Sequence, residues 1–118
     1  MKILLVDDDQ FFQKFYMNKL LEVGYEVVTA SDGEEGMAKF AAEQPQLVLL
    51  DLIMPKKDGF DVLTYLQQNN PNKVPVIIFS TLGNDQDLVR AKSLGAVDYV
   101  NKSLIDFDLL KEKIGLYT

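Results

Sequence analysis

The sequence contains no cysteine and no histidine. Without cysteine there is no disulfide framework and no thiolate chemistry, which leaves the redox compartment open while remaining compatible with the cytosol. With both residue types missing, the usual zinc and transition-metal ligands are gone, and so is the commonest general base. Any metal here has to be held by oxygen. A long apolar run is lacking too. Met1-Lys2-Ile3-Leu4-Leu5-Val6 stops at three aspartates, far short of a signal peptide or a membrane span. That run reads as a buried strand, and the protein as cytoplasmic. No linker, repeat or low-complexity stretch interrupts the chain.

Within these limits, 118 residues are expected to form one domain, residues 1–118. A hydrophobic share of 47% is ample for one core, and 25% charged residues is ordinary for a soluble globular protein. The net charge of −6, with a pI near 4.5, would repel the phosphates of nucleic acids and of anionic membranes. Neither is expected as a partner. The acidity is free to serve a cation site, and the placement of the acids decides that.

Short apolar runs alternate with amphipathic stretches. Ile3–Val6, Tyr25–Ala30, Leu47–Leu50, Val74–Phe79 and Val97–Val100 suit strands. Three of them are apolar at successive positions, as in central strands covered on both faces, while Glu26 and Thr29 make the second an edge strand. Helices are predicted from Gln10 to Val23, with Phe12, Phe15, Tyr16, Leu20 and Val23 at helical spacing, and from Gly33 to just before Pro45, with Met37, Phe40 and Ala41 inward. A third covers Phe60–Gln68 on Val62, Leu63 and Leu66. Asn84 can cap a fourth that buries Leu88, Ala91 and Leu94, and a fifth runs from Asp106 to about Ile114. Five strand–helix units in strict alternation predict an α/β fold, a doubly wound five-stranded parallel sheet with five helices. Right-handed crossovers then gather the strand-to-helix loops on one edge, where such folds place their ligand sites.

Strand one ends in Asp7-Asp8-Asp9, strand three in Asp51, strand four in Ser80-Thr81 and strand five in Asn101-Lys102-Ser103. Singly, these have plain explanations. Asp8 and Asp9 precede a helix and could be caps. Lys102 could be a solvated surface lysine, Ser80 could satisfy a strand end, and Tyr99 in an apolar stretch could be core. Asp51 is different, because Ile53-Met54-Pro55 intervenes before any helix and it caps nothing obvious. Together the acids repel one another unless one is neutral or a cation sits among them. With oxygen ligands only, a hard cation such as Mg²⁺ is the natural occupant, and Mg²⁺ is usually completed by a phosphate. A carboxylate nucleophile can form an aspartyl phosphate, with the metal and a lysine neutralising the charge that develops.

These pieces resemble the receiver domain of bacterial response regulators, of the single-domain, chemotaxis-Y-like kind, over essentially the whole chain. Val6-Asp7-Asp8 is similar to that family's acidic pair, and Leu50-Asp51-Leu52-Ile53-Met54-Pro55 with Asp58-Gly59 to its phosphorylation loop. Pro75–Ser80 is similar to the strand ending in the switch hydroxyl, and Gly95–Lys102 to the run with the switch aromatic and the site lysine. The resemblance implies a flavodoxin-like fold with strand order 2-1-3-4-5. It also implies that Asp51 accepts a phosphoryl group from a sensor histidine kinase or phosphotransfer protein. Asp8, Asp51 and the backbone carbonyl of Ile53 would hold Mg²⁺, with Asp7 acting through its waters. Lys102 would pair with the phosphoryl oxygens, Ser80 would swing toward them, and Tyr99 would turn inward. Helix four, strand five and helix five would then present a changed face to a downstream output protein or domain, as a monomer or a phosphorylation-dependent dimer.

The chain departs from the family in two places. A cis proline usually follows the family's lysine, whereas Ser103 stands here; a non-proline cis bond costs about 3 kcal/mol, so this peptide is either strained or trans. Ile53 and Leu82 flank the acceptor where some relatives carry polar, water-orienting side chains, which predicts a long-lived aspartyl phosphate. Rival readings are a haloacid-dehalogenase-type phosphatase with its nucleophile in Asp7-Asp8-Asp9, and a degenerate receiver that binds partners without phosphorylation. A flavodoxin-like cofactor binder would need a Gly-rich loop after strand one, which is missing. No output domain follows Thr118, which fits a stand-alone receiver and a piece of a longer regulator alike.

Overall fold

A computed structural model of the protein describes residues 1–54, 56–81, 85–103 and 106–118. Its strands are β1 (Lys2–Val6), β2 (Glu26–Ala30), β3 (Leu47–Leu50), β4 (Val76–Ser80) and β5 (Asp98–Asn101), all parallel in the order β2-β1-β3-β4-β5. The helices are α1 (Gln10–Glu22), α2 (Gly33–Glu43), α3 (Gly59–Gln68), α4 (Asp85–Ser93) and α5 (Phe107–Leu116). This is the doubly wound, flavodoxin-like architecture expected from the alternation. None of these helices is long and apolar enough to cross a membrane.

Strand alternation divides the core into two. Leu4, Val6, Val48, Leu50 and Ile78 point to one face, where Phe40 of α2, Leu63 and Leu66 of α3 and Ala91 of α4 cover them. Ile3, Leu5, Leu47, Leu49, Ile77 and Phe79 point to the other, under Tyr16 and Leu20 of α1 and Leu110 and Ile114 of α5. Because β1, β3 and β4 are sandwiched, their side chains are almost wholly excluded from water. Each such residue contributes about 1.5–3 kcal/mol of burial.

Aspartates open most of the helices. Asp9, Asp32, Asp58 and Asp106 accept the backbone N–H groups at the starts of α1, α2, α3 and α5, and Asp58 forms a reciprocal capping box with Asp61. Much of the acidic surplus is therefore structural.

Several expectations shift. Phe15 (43% exposed) and Val23 (39%) lie on the solvent side of the α1 stripe, and Ala41 is exposed on α2 rather than inward. The apolar residues of these helices span more arc than the sheet covers. Val74 falls outside β4 because its N–H is taken by the Asn70 side chain at 2.8 Å, and Pro75 after it has no N–H for a ladder. Val97 likewise precedes β5, which instead runs on to Asn101 opposite Ser80. The expected cap Asn84 and the flanking residues Pro55 and Leu82 lie outside the described residues.

Candidate functional site

The parallel winding brings the carboxyl ends of β1, β3, β4 and β5 to one edge. There the backbone N–H of Asp7 donates to Ala30 (2.9 Å), that of Asp51 to Val6 (3.0 Å) and that of Lys102 to Ser80 (3.1 Å). Each functional residue thus stands one step past its strand, its main chain still fastened to a neighbour.

Carboxylate oxygens of Asp7, Asp8 and Asp51 all lie within 4.8 Å of one another. Asp7 and Asp51 are buried, at 1% and 5% exposure, and Asp8 is exposed. Lys102, also 5% exposed, crosses the site so that its Nζ donates to Asp7 Oδ2 at 2.8 Å and Asp51 Oδ2 at 3.2 Å. Ser80 Oγ donates to Asp51 Oδ1 at 2.7 Å. The other Asp7 oxygen, Oδ1, accepts the N–H of Asp9 at 2.9 Å.

Charge accounts for this arrangement. Burial pushes the Asp7 carboxyl above its ordinary range against the hydrogen bonds from Lys102 and the Asp9 N–H, and the Asp51 charge pushes the same way. Burial alone would lower the Lys102 ammonium, but the Asp7 hydrogen bond and the charges of Asp51 and Asp7 outweigh it and lift it above its ordinary value. Three carboxylates and one ammonium leave two negative charges. That residue of charge, on oxygens only, with Asp8 open to solvent, suits a hard divalent cation such as Mg²⁺.

The loop after β3 is shaped around Asp51. Gly59 N donates to Leu52 O at 2.9 Å, and a Cβ on Gly59 would stand 2.4 Å from the Asp51 carbonyl oxygen. Gly33 is as confined, since its Cβ would fall on the carbonyl of Lys57. Lys56 and Lys57 take left-handed backbone, with φ of 46° and 37°. Between Asp51 and these lysines stands Ile53, whose side chain is 61% exposed.

On the far side of β4, half-buried Tyr99 packs against the α4-side core and its hydroxyl donates to the Ser80 carbonyl at 3.4 Å. Beside it, Leu88, Val89, Ala91 and Lys92 of α4, with Ala96 and Ile78, line a cavity of about 290 Å³. Tyr99 is therefore both core and in touch with the site.

Of the described residues singled out in the sequence, Asp7, Asp8, Asp51, Ser80 and Lys102 meet here, with Tyr99 joined to them through Ser80, while Ile53, expected to act through its backbone carbonyl, carries a side chain that is 61% exposed. Asp9, not Asp8, is the helix cap, which leaves the Asp8 carboxylate unpartnered among the described residues. No cis peptide occurs among them, so the Lys102–Ser103 bond is trans. Lys102 reaches both carboxylates from that backbone. Gln13 was missed by the sequence reading: its Nε2 donates to the carbonyls of Asp7 and Ala30, both at 3.0 Å, and ties α1 to the strand ends. Its signal was a polar side chain within an apolar stripe. Phe12 was read as part of that stripe, yet its ring lies 4.8 Å from Lys102 Nζ.

A family model described as the response regulator receiver domain matches residues 3–115. A probable transcriptional regulator, ycf27, of Cyanophora paradoxa is 44% identical over 101 residues, which are 86% of this chain and 41% of the relative. The chain spans about two fifths of the length of such curated relatives. Among solved structures, the response regulator TrrA of Thermotoga maritima in complex with Mg²⁺ and beryllofluoride is 32% identical with a TM-score of 0.87, covering 99% of this chain and 98% of that one. The beryllofluoride-activated receiver domain of Klebsiella pneumoniae RstA is 27% identical with a TM-score of 0.91, covering 99% and 97%.

Proposed function

The chain belongs to the response regulator receiver family, and from that premise we propose that Asp51 is its phosphoryl acceptor in a two-component signalling relay. Residues 1–118 act as one receiver unit in this reading, a cytoplasmic signalling domain rather than an enzyme with turnover of its own. The observation that carries it is Asp51 itself. A buried carboxylate capping no helix is met by a hydroxyl on one oxygen and an ammonium on the other, beside two further carboxylates.

In the proposed reaction an Asp51 carboxylate oxygen attacks the phosphorus of a phosphohistidine on a sensor kinase or phosphotransfer protein. The P–O bond forms as the P–N bond breaks, and the electron pair leaves on the imidazole nitrogen. Asp8, Asp51 and the Ile53 carbonyl would hold Mg²⁺, with Asp7 acting through its waters; when bound, the ion offsets charge on the transferring group. Lys102 swings its ammonium onto a phosphoryl oxygen, a short displacement from its present place at Asp51. Ser80 exchanges its hydrogen bond to Asp51 for one to the phosphoryl group. Tyr99, joined to the Ser80 carbonyl, then turns into the room beside α4. The face of α4, β5 and α5 changes, and a downstream output protein or domain reads it, in line with the relatives named as transcriptional regulators.

The test is incubation with Mg²⁺ and acetyl phosphate, followed by intact mass. The expected result is one base-labile phosphoryl adduct in the wild type that is lost in Asp51→Asn. Labelling that survives Asp51→Asn but vanishes in Asp7→Asn would overturn this in favour of phosphatase chemistry. No adduct in the wild type would mean a degenerate receiver.

A further inference from the structure

Lys102 is held on every side but one by groups whose purpose is plain. Its N–H donates to Ser80 (3.1 Å), and its ammonium to Asp7 and Asp51. An ammonium has three N–H donors, so a further direction has to be filled. The face of Phe12 lies there, 4.8 Å from Nζ to the ring centroid. Phe12 is stacked on Tyr16 at 6.2 Å, and Tyr16 meets Phe79 of β4 edge-on at 4.8 Å. Tyr16 is 5% exposed, and its hydroxyl reaches the Lys102 carbonyl in a long 3.4 Å contact. Three rings thus run from the α1 face of the sheet to the site lysine.

We infer that Phe12 is a positioning residue for Lys102, braced by Tyr16, and that it sets how readily the ammonium passes from Asp51 to an incoming phosphoryl oxygen. This rests on reading Asp51 as the acceptor. The physical argument compares what else could occupy that side. A water or carboxylate there would take a directed hydrogen bond and compete with the phosphoryl group for the same proton. An aliphatic side chain would exclude water but offer the charge nothing. An aromatic face attracts a desolvated cation without fixing the direction of any N–H, so that side of the ammonium stays dry and adds no directed bond for the transfer to break. Because α1 begins immediately after the acidic run, Asp9 capping also fixes the turn on which Phe12 stands: its N–H donates to Asp9 Oδ1 at 3.2 Å.

The test uses the whole chain with ¹³C-labelled lysine side chains and three variants, Phe12→Leu, Phe12→Tyr and Lys102→Met. Without metal or phosphodonor, the Lys102 ε-methylene resonance is expected upfield in the wild type, to move downfield in Phe12→Leu, and to stay upfield in Phe12→Tyr. With Mg²⁺ and acetyl phosphate, Phe12→Leu is expected to slow adduct formation about fivefold and Phe12→Tyr to restore it. In a Lys102→Met background, Phe12→Leu should cause no further slowing. An unmoved Lys102 resonance, or equal slowing with and without Lys102, overturns the role of Phe12. A wild type that takes no phosphoryl group overturns the acceptor reading instead, and is distinct from a wild type that labels no faster than Phe12→Leu.

Discussion

Ser80 Oγ donates to Asp51 Oδ1 at 2.7 Å while the Ser80 carbonyl accepts the Tyr99 hydroxyl at 3.4 Å, so one serine touches the proposed acceptor and the aromatic on either side of β4. A change in the Ser80 main chain or side chain is therefore felt by both. Ser80→Ala is expected to keep adduct formation while uncoupling Tyr99. The measurement is the Tyr99 ring resonance on adding Mg²⁺ and beryllofluoride: a large shift in the wild type, little or none in the variant. An equal shift in both would refute the coupling.

Mg²⁺ should stabilise the fold, because Asp7, Asp8 and Asp51 are brought together as one acidic cluster only in the native arrangement. At a hundredfold excess over its dissociation constant, a ligand adds about 2.7 kcal/mol. Thermal unfolding with and without Mg²⁺ should show this in the wild type and lose most of it in Asp8→Asn. The variant should be at least as stable as wild type without metal, since Asp8 has no hydrogen bond or ion pair among the described residues to lose and its charge faces those of Asp7 and Asp51.

Ile53, 61% exposed, stands two residues past the proposed acceptor. Replacing it with asparagine should leave folding unchanged and give an attacking water a partner. The lifetime of the aspartyl phosphate, followed by decay of the intact-mass adduct after removal of donor, is expected to shorten severalfold in Ile53→Asn. Equal decay would count against a role for apolar cover.

Asp98 supplies a pH prediction. Burial alone would raise its carboxyl, but the Tyr99 N–H, Lys113 and Tyr117 outweigh this and hold it below the ordinary range. A carboxyl lowered on folding contributes stability that is complete above its unfolded value and lost as pH falls through the folded one, here below about pH 4. Urea midpoints should fall with acid more steeply in the wild type than in Asp98→Asn. Parallel curves would show that the Lys113 and Tyr117 contacts carry no linkage.

Much of this was legible before any coordinates. Unbroken apolar runs at Leu47–Leu50 and Ile3–Val6 can only be sandwiched strands, and Glu26 with Thr29 marks an edge because a covered strand could not bury them. Asp51 stood out because nothing local explained it. What stayed hidden depends on phase or on distance along the chain. Which aspartate of Asp7-Asp8-Asp9 caps α1 turns on a shift of one residue, and propensity does not resolve that. The inward set of a helix with apolar residues on most sides, as at Phe15 and Val23, is decided by where the sheet lies. The meeting of Phe12 with Lys102 joins residues from opposite ends of the chain, and no local pattern announces it. The Lys102–Ser103 peptide left two options, and its trans geometry closes one of them.

The absent side chain at Gly59 has a consequence for how such a protein can diverge. Behind Asp51 the loop is drawn so tight that a single methyl would collide with the Asp51 carbonyl, whereas in front of it the Ile53 side chain is 61% exposed. One short segment therefore has a back that mutation cannot vary and a front that it can. With Asp51 as the proposed acceptor, a lineage could retune how long the signal persists by exchanging front residues, generation after generation, and never disturb Asp51 itself.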